Sequence, residues 1–150
     1  MEIVINACYG GFGLSPFATK ELAKRKGKEC YFFKYSLTEK TYTPISIEKA
    51  EESLIWCAYS VHDPQNYRLS ERDDDGSYKS ANERAAKILL DDYDNNRTDT
   101  DLIAVVKKFG EKVNSKLSKL KVVEIPDDVE WKIDDYDGFE HIAEKHRTWH

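Results

Sequence analysis

The stretch 2–16, EIVINACYGGFGLSP, sets the fold class. Its first seven residues are apolar and β-branched around Ile3-Val4-Ile5, the composition of a strand. Gly10-Gly11-Phe12-Gly13 then breaks the strand, because glycine tolerates the backbone angles a sharp turn needs. Ser15 stands where a helix N-cap belongs, and Pro16 follows in the first helical turn, where a missing N–H goes unnoticed. Phe17, Ala18, Leu22 and Ala23 recur at core-facing spacing, and Gly27 ends that helix. A strand running so directly into a helix predicts an α/β or α+β chain, here a single domain with a mixed β-sheet covered by helices.

The same reading extends along the rest of the sequence. Residues 29–36 (ECYFFKYS) form a second strand, and 38–47 a turn or edge strand, since Pro44 removes a ladder donor. Ser46 leads a short helix over 46–53. Residues 54–61 (LIWCAYSV) are almost wholly apolar and predict a central strand. A polar stretch from His62 to Gly76 precedes a helix over about 80–90, with Ala81, Ala85 and Leu89 on one face. Thr98 and Asp101 fit a capping box for a helix whose Leu102, Val105, Val106 and Phe109 share a face and which Gly110 stops. Residues 120–125 are a strand ended by Pro126, and 129–133 alternate as a half-buried strand. Asp134 to Gly138 reads as a turn, and 139–149 as a last helix with Phe139, Ile142, Ala143 and His146 on one side. The 150 residues fit one domain, with no repeat and no linker.

Composition excludes several functions. The formal net charge is −5, with no basic block to neutralise a duplex, so no duplex nucleic acid partner is expected. A local basic pocket for one small anion stays open. No apolar run approaches the length of a membrane span, and Glu2 ahead of a three-residue apolar run is no signal peptide. An odd set of three cysteines, each within an apolar stretch, implies reduced thiols and a cytoplasmic location. The acidic loop ending at Gly76 offers Glu71, Asp73 and Asp75 at calcium-loop spacing but has Asn82 where a glutamate is required. No Cys or His spacing suits zinc. No catalytic constellation, metal or cofactor is expected.

Three features suit a ligand. A strand, a glycine cluster and a capped helix share the layout that cradles phosphates, although the chain lacks both the Lys-Ser/Thr ending and the helical third glycine. Gly11 and Gly13 therefore either build a tight strand–helix turn or bring backbone N–H groups to a ligand. Phe12 and Tyr93, each beside a break, offer stacking faces for a base. In the tail, Arg147 and Trp149 either hold a base or phosphate or lock the last helix in place.

Three blocks carry a resemblance: Ile5 to Ser15 (INACYGGFGLS), Leu120 to Trp131 (LKVVEIPDDVEW), and Asp135-Tyr136-Asp137-Gly138 with Glu144 to Trp149 (EKHRTW). In that order they resemble a phage family that includes the type 1 Thoeris anti-defence proteins. The resemblance covers a quarter to a third of the chain. It implies a non-enzymatic sponge in the host cytoplasm that binds cyclic ADP-ribose isomers made by TIR-domain defence enzymes and sequesters them intact. It also implies a homo-oligomer, some members having separate sites for cyclic oligonucleotides. The family pocket lies at a subunit interface, with an aromatic residue and arginines. Near the late region this chain offers Asn96-Arg97-Thr98-Asp99 and Asn114-Ser115-Lys116, so Arg97, Asp99 and Lys116 become ligand-binding candidates. Lys116 stands where the family has an arginine, keeping the charge and losing the bidentate fork. A small nucleotide-processing enzyme and a phage structural or regulatory protein are the alternatives.

Overall fold

A computed structural model describes residues 1–146. Its contacts divide the chain into two compact units: Met1–Ala18 joined by the chain from Asp92 onward, and Thr19–Asp91. The division falls within the first helix, α1 (Pro16–Arg25).

In the first unit β1 (Glu2–Asn6) pairs antiparallel with β5 (Leu120–Glu124), Ile3 opposite Val123 and Asn6 opposite Leu120. Ile3, Val4 and Ile5 are all buried, as a strand covered on both faces requires. Helix α4 (Thr100–Phe109) packs Leu102, Val105 and Val106 into the same core. Its cap is Asp99, not Thr98: the Asp99 carboxylate accepts from the Leu102 N–H at 2.9 Å. Gly110 ends it at φ 58°. Ser15 does cap α1, its Oγ accepting from Ala18 N at 3.1 Å.

The expected helix over 139–149 is instead a strand over Phe139–Glu144. β6 (Trp131–Tyr136) and β7 (Phe139–Glu144) form an antiparallel hairpin. Asp137 and Gly138 are its two turn residues, at φ 51° and 86°. Positive φ at both positions gives the turn whose twist matches paired strands. The apolar spacing of 139–146 suits a helix face, but a partner strand two residues away supplies the backbone hydrogen bonds first. Alternation puts Glu140 and Ile142 on one face and Phe139 and His141 on the other.

In the second unit β2 (Tyr31–Ser36) lies between β3 (Thr41–Ile45) and β4 (Cys57–Tyr59), antiparallel to both. Pro44 does sit on an edge strand. Phe32 and Phe33 are buried on opposite faces of the sheet. Helix α2 (Ile47–Glu52) is capped by Ser46, and α3 (Lys79–Ala86) buries Ala81. The expected central strand over 54–61 shrinks to a three-residue edge strand, leaving Leu54 70% and Ile55 82% exposed. An apolar run favours a strand without fixing how many neighbours that strand has.

The chain is therefore α+β, but not with one mixed sheet. All strand pairs among the described residues are antiparallel and fall in three small sheets. No helix among them is long and apolar enough to cross a membrane.

Candidate functional site

The first unit is organised around the C-terminal end of β1, where a polar residue closes an apolar strand. Asn6 is fully buried, and its backbone N–H and both ends of its side-chain amide are hydrogen-bonded. Its backbone N–H donates to Glu140 Oε2 at 2.8 Å, and its Nδ2 donates to the carbonyls of Cys8 (2.9 Å) and Gly138 (2.7 Å). Its Oδ1 accepts from Lys119 N at 2.8 Å and from the Cys8 thiol at 3.4 Å. One side chain thus ties β1, the approach to β5 and the β6–β7 turn together.

Arg97 lies beside it, 6% exposed. Its Nε donates to Asp94 O at 2.9 Å. Nη1 donates to Val4 O at 3.2 Å and Glu140 Oε2 at 2.7 Å. Nη2 donates to Glu140 Oε1 at 2.9 Å and Asp94 Oδ1 at 2.6 Å. A guanidinium has five N–H donors, and these contacts occupy all five. The grip on Glu140 is the bidentate fork that makes arginine–carboxylate pairs strong. Burial opposes the charge on Arg97, and its hydrogen bonds to Glu140 and Asp94 outweigh that, so its pKa lies above the ordinary value. The guanidinium carbon sits 3.7 Å from the centre of the Phe12 ring, a stacked cation–π contact.

The glycine cluster packs backbone against backbone. Gly10 N donates to Asp137 O at 3.2 Å. A Cβ on Gly138 would lie 2.3 Å from Gly11 N, and one on Gly10 would lie 2.4 Å from Leu117 O. Gly13 accepts from Ser118 Oγ at 2.7 Å, and a Cβ on it would meet Ser115 Oγ at 3.1 Å. The loop 9–13 is thus wedged between the β6–β7 turn and the segment 115–118. Close packing accounts for Gly10, Gly13 and Gly138. Gly11 has open space on its side-chain side at φ 107°.

The structure therefore brings Phe12, Gly11, Gly13 and Arg97 into one place, with Lys116 exposed on the segment that seats the glycine loop. The donors of Arg97 are already committed within the chain. Tyr93 is buried, and the Asp99 carboxylate caps α4. Arg147, with Trp149, lies outside the described residues. Sequence reasoning missed Asn6, Asp94 and Glu140. Asn6 alone carried a signal, a polar residue inside an apolar strand.

The thiols bear on chemistry. Burial pushes Cys30 up to about 11, only partly offset by the positive charge of Lys20, and burial likewise raises Cys57. A thiol is nucleophilic only as thiolate. At pH 8 Cys30 should therefore alkylate roughly a hundredfold more slowly than an ordinary thiol, read by peptide mass spectrometry. A rate equal to that of free cysteine would contradict its burial. The raised folded-state pKa also has a sign for stability. Its contribution is fully present below the unfolded thiol's pKa and is lost as pH rises through about 11. Among the described residues no three His, Cys, Asp or Glu side chains are grouped to hold a metal.

No protein-family model, curated protein or solved structure matches this chain.

Proposed function

We propose that the protein binds a cyclic ADP-ribose-type nucleotide and holds it intact, acting as a phage sponge against TIR-based Thoeris signalling in the host cytoplasm. The observation that carries this reading is convergence. The first block that resembles the anti-defence family lies more than a hundred residues from the other two, yet its Asn6 meets both. Asn6 of the first block faces Leu120 of the second across the β1–β5 ladder and bonds Gly138 of the third.

In this reading Arg97 does not touch the ligand. It holds the Phe12 ring in a fixed plane, and the diphosphate is met by Lys116 and the backbone at Gly11.

The test is to incubate the protein with cyclic ADP-ribose isomers, denature it and weigh what is released. Intact ligand is the expected result, and a processed product would establish the enzyme alternative instead. Calorimetry should show Lys116→Ala binding roughly ten- to a hundredfold more weakly, the worth of one charge-assisted hydrogen bond at about 1.5–3 kcal/mol. Light scattering should return at least twice the monomer mass. Absence of binding to every isomer would remove the proposal.

A further inference from the structure

The second unit holds a cleft that the nucleotide reading does not use. Lys20 and Lys24 stand four residues apart on α1, so both project from the same helical face. Neither ammonium group has a hydrogen bond or ion pair with another described residue. Like charges at this spacing repel, and no carboxylate among the described residues bridges them. With Cys30 and Tyr31 they line an open cleft of about 480 Å³, a volume that suits a small organic ligand.

The other charges around the cleft are placed differently. The Lys28 ammonium is 3.0 Å from Asp91 Oδ1 and so is already neutralised. The Glu29 carboxylate accepts from the Tyr31 hydroxyl at 2.8 Å. The lining thus holds two carboxylates, Glu29 at the Tyr31 end and Glu21 on α1 with the two lysines. Cys30 and Tyr31 supply the apolar part of the lining. Cys30 is half-buried and held as the neutral thiol, and the Tyr31 ring packs on the His62 ring with centres 3.7 Å apart, which fixes its plane.

We propose that this cleft is a binding site for an aromatic phosphate monoester, its phosphate between the Lys20 and Lys24 ammonium groups and its ring against Tyr31 and Cys30. A monoester is close to a dianion at neutral pH, which matches two ammonium groups better than a carboxylate does. Its ring covers an apolar wall that inorganic phosphate would leave wet. The site is independent of the function proposed above. It fits the acidic composition of the chain, because it needs one local pair of cations and no basic face.

The experiment is an amide-resolved NMR titration of the full chain with phenyl phosphate, with inorganic phosphate and phenol as separate arms. Phenyl phosphate should give saturable shifts confined to residues 19–31 and 62, at least roughly tenfold tighter than either half alone. The Lys20→Ala/Lys24→Ala double variant should lose roughly tenfold or more, and added salt should weaken wild-type binding. Glu21→Gln should tighten binding, because it removes a repelling charge from the same lining. That variant tests the site even if the double variant folds poorly. Three results would overturn the proposal: no saturation at millimolar phenyl phosphate, equal binding by inorganic phosphate, or no change on Glu21→Gln together with none on the lysine pair.

Discussion

Replacing Arg97 with alanine should destabilise the protein by about 3–5 kcal/mol, the usual cost of removing one partner from a buried ion pair. The reason is what stays behind. Glu140 is 5% exposed, and without Arg97 its carboxylate keeps only the Asn6 N–H among its donors here. Val4 O loses a donor, and Phe12 loses the plane it stacks on. Asp94 lies at the surface and simply returns to water. For a chain of this length each kcal/mol moves the thermal midpoint by about 2–4 °C, so a fall of roughly 6–20 °C is expected. Urea unfolding measures it directly, and a loss under about 1 kcal/mol would show that the network contributes little. The double variant Arg97→Met/Glu140→Leu should recover much of the loss, because it removes both charges rather than stranding one. Weaker ligand binding by Arg97→Ala would then report the integrity of the fold and not a lost contact, which is why Lys116 is the better probe of the pocket.

The second large effect is expected at Gly138. Alanine there meets two obstacles of different kind. The first is conformational: at φ 86° an L-residue costs about 1–2 kcal/mol. The second is steric, and larger. The new Cβ would lie 2.3 Å from Gly11 N and 2.8 Å from the Gly10 carbonyl carbon, both backbone atoms that no rotamer change can move. The β6–β7 turn must separate from the glycine loop, which also breaks the Asn6 Nδ2 bond to Gly138 O. A total of about 3 kcal/mol or more follows from strain plus the one N–H of the buried Asn6 amide left unpaired. Gly76 isolates the first obstacle, since it has φ 81° and no atom within 4 Å of where a Cβ would stand. Gly76→Ala should therefore cost only about 1–2 kcal/mol. Equal losses at the two glycines would show that the close approach of turn and loop carries no energy.

The features legible from the residues alone are mostly local. Ile3-Val4-Ile5 made a buried strand, Ser46 a cap, Gly27 and Gly110 helix ends, and Leu102, Val105 and Val106 a helix face. Each depends on residues within one or two turns, where propensity and periodicity act directly. The Asp137-Gly138 pair was legible too, as a turn, but the apolar spacing after it suggested a helix. That ambiguity is physical: Phe139, Ile142 and Ala143 suit either state, and the choice falls to whichever element can supply hydrogen bonds. β6 lies across a two-residue turn and supplies them. Long-range packing settled the rest: that 54–61 forms a short edge strand, that the strands divide into three antiparallel sheets, and that Arg97 is a buried cross-link. The sequence marked Arg97 as a cation beside a helix start. Its five contacts reach Val4, Asp94 and Glu140, the last 43 residues away, and no local pattern encodes a pairing that only chain folding brings within 3 Å.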